Sequence, residues 1–251
     1  LRFTLPMIIG SLLQQCYNIA DTLIVGQCIG SGALAAVGSA YTLMVFLISI
    51  LLGLSMGSGT VFSLQYGAGR MKALRRSIYV SAVLIGTVTI VLNIAALSFI
   101  HPILKLLQIP DDIYQMMYDY LWIIFWGIGF TFIYNFYAAL LRAIGNAVTP
   151  LYFLAISVVL NIGLDLFFIL LLDWGIKGAA IATIIAQGVS ALGIMGYTYA
   201  KCPELRLHRN DLHFDRHCLK EITSFSTLTC IQQSVMNLGI LMVQGLSLIH
   251  I

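Results

Sequence analysis

Two carboxylates, Asp21 and Asp165, lie inside apolar stretches, whereas the other eight acids of the chain occupy connections or predicted helix ends. The segment YNIADTLIVG (17–26) holds the first and NIGLDLFFILLL (161–172) holds the second. An ionised aspartate at the centre of a membrane helix costs roughly 2.5–3.5 kcal/mol on insertion scales, so such acids are usually functional. Their chemistry would be to carry a proton or to offer oxygen ligands to a cation.

The composition predicts an integral membrane protein made of helices. Of the 251 residues, 60% are hydrophobic and 9% are charged, against roughly 25% charged in a soluble domain. Uncharged runs such as 22–69 and 77–104 exceed the roughly 20 residues that span a bilayer as helix. No nucleotide-binding loop, HExxH motif or zinc-type Cys/His pattern occurs, so we expect no enzyme and no cofactor. The net charge of +3 gives no indication of nucleic-acid binding.

Glycine, proline and charge clusters divide the chain into predicted helices, and GQCIGSGA (26–33) is the predicted break in the longest uncharged run. We expect residues 1–200 to form an amino-terminal six-helix lobe, residues 201–222 to connect two lobes, and residues 223–251 to begin the second lobe. The predicted helices are 4–25, 35–65, 77–100, 117–141, 150–172 and 177–200, with a seventh that begins near 223.

Alternating connections would place eleven of the thirteen Lys and Arg residues on one side of the membrane. The positive-inside rule then predicts a cytoplasmic amino terminus. We therefore expect a multi-pass protein of the inner (plasma) membrane, in contact with the lipid bilayer.

Four polar side chains are predicted to meet at one depth. At 1.5 Å per residue, Asp21 and Asp165 lie about 25 Å and about 22 Å along their helices, and Thr183 lies about 9 Å along a helix that enters from the other side. Asn161 precedes Asp165 by four residues and shares its helical face. Asp21, Asn161, Asp165 and Thr183 are therefore the predicted cation- or proton-binding residues.

Two further residues are candidates for a substrate cavity, and structural alternatives stay open for the acids. Asn18 lies three residues before Asp21 on the same face, and Tyr120 belongs to an aromatic group typical of membrane interfaces. Asp21 alternatively lies at the outer headgroup boundary. Asp165 alternatively has a structural role, held by Asn161 or by a backbone group.

An internal repeat relates residues 11–26 to residues 229–244 at a constant offset of 218. An even number of predicted spans separates the two copies, so both would have the same orientation, as in the parallel repeats of some secondary transporters. Asp21 aligns with Gly239, and the identities are Gln14 with Gln232, Gln15 with Gln233, Leu23 with Leu241 and Val25 with Val243.

Six segments, spread in order over most of the chain, match the pattern of a known family. They are PMIIGSLLQQCYNIADTLIVG, LAAVG (34–38), QYGAGR (65–70), LRAIGNAVTP (141–150), NIGLD (161–165) and GAAIATIIAQ (178–187). Through these segments the chain resembles the multidrug and toxic compound extrusion (MATE) transporters. The resemblance implies the six-helix amino-terminal lobe of an all-α, twelve-helix, two-lobe transporter. It also implies alternating access by rocking of the two lobes, with export of organic, often cationic, compounds driven by inward Na⁺ or H⁺. We expect the full-length protein to be a monomer.

Family members have a cation site made of an Asp from the first helix, Asn and Asp from the fifth and Thr from the sixth, which match Asp21, Asn161, Asp165 and Thr183. Many members also use acids of the second lobe, and this chain is expected to lack that lobe almost entirely. Both ends of the chain look truncated. The ending LSLIHI (246–251) departs from the family pattern and is expected to be non-native.

Several functional alternatives remain at the level of sequence. Na⁺ and H⁺ suit the four site residues equally, and polyspecific cavities do not encode one substrate. A lipid-linked saccharide flippase of the same superfamily would need a basic cavity, and no Lys or Arg is predicted to be buried in the six helices. A passive channel or a structural membrane protein is the alternative from another class.

Overall fold

The computed structural model describes residues 4–106, 109–208, 213 and 215–249. Within these ranges the chain is helical and contains no strand, so the predicted all-α fold is confirmed. A π-helical turn, Phe167–Leu171, follows α7, and a 3-10 turn, Pro203–Leu205, follows α8. The helices are α1 (Thr4–Cys28), α2 (Ser31–Gly67), α3 (Met71–Ser98), α4 (Ile100–Leu106), α5 (Asp111–Trp126), α6 (Ile128–Ala143), α7 (Val148–Leu166), α8 (Gly175–Lys201) and α9 (Arg216–Ile249).

Several helices are long and apolar enough to cross a membrane. Among the described residues these are α2, α3, α8 and α7 together with its π-helical turn, while α5 and α6 qualify as one bent span. The chain is therefore a multi-pass membrane protein. Helix α1 is not in this set, because Gln14, Gln15, Asn18 and Asp21 lower its hydropathy.

The predicted fourth helix, 117–141, is not continuous. Helices α5 and α6 meet at Gly127 with a bend of 45°. A Cβ atom at this glycine would lie 2.9 Å from Cγ1 of Ile184, so any larger residue would have to displace that side chain where α8 crosses the bend. The side chain of Asn93 donates to the carbonyl of Phe125 in the last turn of α5, where it satisfies a helix-end carbonyl. Helix α4 was not predicted either.

Helix α9 begins at Arg216, several residues before the predicted start near 223. Asp215 explains the earlier start, because its Oδ1 accepts from the backbone N–H of His217 at 2.9 Å, as an N-cap does. Its Oδ2 also accepts from Arg76 of α3 at 3.1 Å. The His217 hydrogen bond and then the Arg76 interactions hold the pKa of the Asp215 carboxyl below its usual value.

Helices α2 and α9 pack with their backbones in close approach. Gly53 and Gly57 face α9, where an added Cβ would overlap backbone atoms of Cys230 and Ser226 respectively. The hydroxyl of Ser226 donates to the carbonyl of Leu54 at 3.2 Å, and Sγ of Cys230 donates to the carbonyl of Ile50 at 3.3 Å. Small residues and side-chain hydrogen bonds of this kind hold membrane helices together. We therefore assign the main contact of α9 with the rest of the chain to this glycine face of α2.

Gly57→Ala should destabilise the full-length protein, because the new Cβ would meet the backbone of α9, which cannot rotate away. Overpacking of this kind typically costs about 1–3 kcal/mol. Gly196→Ala in α8 is the matched control, since nothing lies within 4 Å of a Cβ at that position. Thermal unfolding in detergent measures both variants. Equal unfolding temperatures for the two would contradict the packing described here.

Candidate functional site

The four residues predicted to form an ion site come together where α1, α7 and α8 pack. Helix α7 lies against both α1 and α8, and all four side chains are buried. Asn161 and Asp165 are 0% exposed, Thr183 is 6% exposed and Asp21 is 8% exposed. The structure therefore agrees with the predicted convergence, while the ion-binding role of these residues stays a prediction.

The carboxyl groups of Asp21 and Asp165 face each other within hydrogen-bonding reach. One oxygen of Asp21 and both oxygens of Asp165 are buried and have no donor among the described residues. Two ionised carboxylates cannot donate to each other, so a shared proton or a bound cation would satisfy the pair. The structural alternative for Asp165 gains no support, because no described side chain or backbone group donates to it.

Thr183 is the point where the other polar groups meet. Its Oγ1 accepts from Nδ2 of Asn161 at 3.3 Å and from the hydroxyl of Tyr17 at 3.4 Å. Because the amide nitrogen of Asn161 is turned toward Thr183, its buried carbonyl oxygen is left without a donor among the described residues. With the carboxylate oxygens it forms an all-oxygen set, which is what hard cations prefer.

Tyr17 was missed by the sequence reasoning. It lies four residues before Asp21, so the spacing that paired Asn161 with Asp165 could also have indicated Tyr17. Tyr17 also lines a neighbouring cavity. Tyr17 therefore links the cavity to the buried acids.

A π-helical turn begins two residues after Asp165. The backbone N–H of Leu172 donates to the carbonyl of Phe167 at 3.2 Å, which is the wider i to i−5 pattern. The ring of Phe168 stacks on Trp174 with centroids 5.0 Å apart and anchors this turn against the start of α8. Single π-helical turns are frequent at functional sites. The sequence predicted an ordinary helix over 150–172, and no local residue pattern indicates the widening.

A cavity of about 520 Å³ lies beside the acids, between α1, α2, α6, α7 and α8. Its size is typical of pockets that bind drug-sized molecules. The residues that line it include Gln14, Tyr17, Thr60, Thr131, Asn135 and Gln187 among the polar ones.

Asn18 and Tyr120, the predicted cavity residues, do not line this cavity. Tyr120 is buried close to Tyr17, Asp21 and Asp165. The side chain of Asn18 is half-buried, and its backbone carbonyl accepts from Thr22 at 2.7 Å. Their assignment to a substrate cavity stays a prediction.

Among the described residues no Lys or Arg is fully buried, as expected, but Arg142 brings a basic side chain to the cavity wall. It lies in the last turn of α6, is half-buried and lines the cavity. The sequence reasoning placed it in a connection, because the LRAIGNAVTP segment contains the glycine and proline that end one helix and begin the next.

Comparison with known proteins identifies the family. The MatE family model matches residues 6–167. The chain belongs to the MatE family. This agrees with the resemblance found in the sequence motifs.

Two curated relatives extend the match beyond the family model. This MatE chain is 36% identical over 190 residues to the probable multidrug resistance protein YpnP of Bacillus subtilis, covering 76% of this chain and 43% of YpnP. It is 30% identical over 218 residues to the probable multidrug resistance protein YoeA of the same species, covering 85% of this chain and 46% of YoeA. The chain thus spans about half the length of the curated relatives it matches.

A solved structure gives the same fold. The crystal structure of MATE in complex with MaL6 superimposes on this MatE chain with a TM-score of 0.90 at 24% sequence identity. The match covers 97% of this chain and 54% of that one. The architecture is therefore that of about half of a MATE transporter.

Thr183→Val should weaken ion binding by the full-length protein more than Tyr17→Phe does. The valine removes the acceptor of two hydrogen bonds and one oxygen of the site, whereas the phenylalanine removes a single neutral bond, typically about 0.5–1.5 kcal/mol. Thr198→Val on the same helix is the control, because that buried hydroxyl donates to the carbonyl of Ile194 within its own helix. Titration of the purified protein with Na⁺ and with acid compares the variants. Equal effects of Thr183→Val and Thr198→Val would contradict the role of Thr183.

Proposed function

We propose that the full-length protein exports organic, often cationic, compounds in exchange for Na⁺ or H⁺ by alternating access. The observation that carries the proposal is the buried Asp21–Asp165 pair, which has unsatisfied oxygens beside a drug-sized cavity. The relatives YpnP and YoeA are named as probable multidrug resistance proteins, which supports the substrate class. We further propose a monomer in the inner membrane with a cytoplasmic amino terminus.

The chain's own residues can hold either coupling ion. A proton shared by the two acids would reduce their charge and join them by a hydrogen bond, and Na⁺ would take oxygens from the same acids, from Asn161 and from Thr183. In both cases the ion offsets the cost of two carboxylates in apolar surroundings. Release of the ion restores repulsion between Asp21 and Asp165, so the two helices that carry them favour different packings with and without the ion.

Helix α1 is the proposed link between the ion and the exported compound. It carries Asp21 at the ion site, and its residues Gly10, Gln14 and Tyr17 line the cavity. We propose that ion binding bends or repacks α1, which changes the cavity wall and releases the compound. Such a ligand effect requires different contacts in the two states, and the Tyr17–Thr183 hydrogen bond is a contact that movement of α1 would break.

The flippase alternative has weaker support. A lipid-linked saccharide flippase would have to bind the pyrophosphate group of its substrate, which calls for several cationic side chains. Arg142 is the one basic side chain among the described residues that line the cavity. A passive channel would not need two acids buried against each other. Ion-coupled export is therefore the function that these side chains favour.

Asp165→Asn should abolish efflux of ethidium from cells that express the full-length protein, because an amide cannot share a proton or carry the charge that attracts a cation. Asp112→Asn is the matched control, since Asp112 is exposed in the first turn of α5. Cell ethidium is followed by fluorescence, and both variants must reach the membrane in equal amounts. Unchanged efflux by Asp165→Asn would favour the passive channel or a structural role.

The coupling ion is identified by repeating the efflux measurement in vesicles with one gradient at a time. A Na⁺ gradient without a pH gradient should drive export if Na⁺ is the coupling ion, and the reverse arrangement tests H⁺. Export that needs neither gradient would overturn the proposed coupling.

A further inference from the structure

The cavity has two chemically different ends. Tyr17 marks one end, where it adjoins Thr183 and the two acids. The other end lies at the start of α7, because Gly10 of α1 is beside Leu151 there. The last turn of α6, with Arg142, precedes the start of α7 along the chain and lines this second end. From Pro6 to Tyr17 along α1 the two ends are about 16 Å apart at 1.5 Å per residue.

Arg142 is the one fully charged group in the cavity wall. Among the described residues that line the cavity there is no Asp and no Glu. The guanidinium group of Arg142 has no ion pair and no hydrogen bond to a described residue. A guanidinium group has five N–H donors and no acceptor, so these donors can bind an acceptor group that enters the cavity.

The helix end does not explain the direction of this side chain. A basic residue in the last turn of a helix can bond the final carbonyls. Here the carbonyls of Leu140, Leu141 and Arg142 already accept from the backbone N–H groups of Ile144, Asn146 and Gly145. These three carbonyls therefore do not require the guanidinium.

Nearby polar side chains are also engaged with each other or with the backbone. The hydroxyl of Tyr134 donates to the carbonyl of Pro150 at 2.9 Å, and that of Thr131 donates to Oε1 of Gln187 at 3.1 Å. The amide of Asn135 donates to the carbonyl of Thr131 at 2.8 Å. Between the two ends, the wall offers apolar contact to a ligand. These apolar residues include Ile48, Leu52, Met56, Phe130, Leu151 and Leu154.

We propose that Arg142 binds an acidic group, a carboxylate or a phosphate, of the compound that the protein transports. The planar fork of a guanidinium group matches the two oxygens of such an acid. The bound compound would direct its acid toward Arg142, place its apolar body along α2 and α7, and direct its other end toward Tyr17. The inference rests on the proposed function. It adds zwitterionic and acidic amphipathic compounds to the substrates that the protein would export.

The test compares a zwitterionic fluoroquinolone that has a free carboxylate with its ethyl ester. Binding of both to the purified full-length protein is measured by fluorescence in phosphatidylcholine vesicles. Arg142→Gln should lower the preference for the acid over the ester by about tenfold or more, the range for a charge-assisted hydrogen bond. Arg142→Lys should retain part of the preference, because it keeps the charge but loses the fork.

Arg70→Gln is the control for the loss of one positive charge, since Arg70 is exposed just before α3. The proposal is overturned if Arg142→Gln leaves the acid-to-ester ratio unchanged or lowers the affinity for both probes equally. It is also overturned if added phosphatidylglycerol removes the dependence on Arg142, because the guanidinium would then bind lipid headgroups.

Failure of this inference can be told apart from failure of the proposed function. Absence of ethidium efflux by the wild type, with Arg142-dependent binding of the acid intact, contradicts export and leaves the Arg142 site standing. If efflux is intact and Arg142→Gln leaves the preference for the acid over the ester unchanged, only the Arg142 site is contradicted.

Discussion

The fold depends on one costly arrangement, two buried carboxylates that face each other between membrane helices. Asp21 and Asp165 have no described donor for three of their four oxygens. An ion that reduces the charge of the pair would stabilise it, so we propose that the packing of α1 against α7 is sensitive to ion binding. The π-helical turn after Asp165 and the hydrogen bonds at Thr183 hold the surroundings of the pair in place.

The charged groups around the cavity differ between its two ends. Among the described residues of its wall, Arg142 at one end is the one with a full charge, and the acids lie behind Tyr17 at the other end. A compound in the cavity therefore meets positive charge at one end and lies close to negative charge at the other. Helix α1 contributes both to the cavity wall and to the acid pair. Under the proposed function, this helix would therefore connect ion binding with binding of the compound. Helix α9 packs against the glycine face of α2, and its Gln233 donates to Sδ of Met56, a residue of the cavity wall.

The sequence predicted most of what depends on repeating local patterns. Apolar runs separated by charge and glycine located the long helices, and the depth of Asp21, Asn161, Asp165 and Thr183 predicted that these side chains would lie together. The family resemblance led to the same four residues. The constant rise per residue of a helix was enough to predict that these side chains meet, because it converts residue number into depth along the helix.

Features that arise from contacts between distant segments were not predicted. The bend at Gly127 exists where Ile184 of α8 crosses, and the early start of α9 depends on Asp215 and on Arg76 of α3. Arg142 was placed outside the helices because local signals indicated a connection, yet its side chain points into the cavity. Tyr17 could have been predicted from its four-residue spacing from Asp21, which places both side chains on one helical face.

The most direct test of the account is the binding of Na⁺ and protons to the purified full-length protein, measured by titration calorimetry with a pH indicator present. The wild type should bind one of these ions at a site that the Asp21→Asn/Asp165→Asn double variant lacks. If Na⁺ and protons compete for the acids, Na⁺ binding should release protons from the wild type and not from the double variant. A double variant that binds both ions as the wild type does would contradict the account.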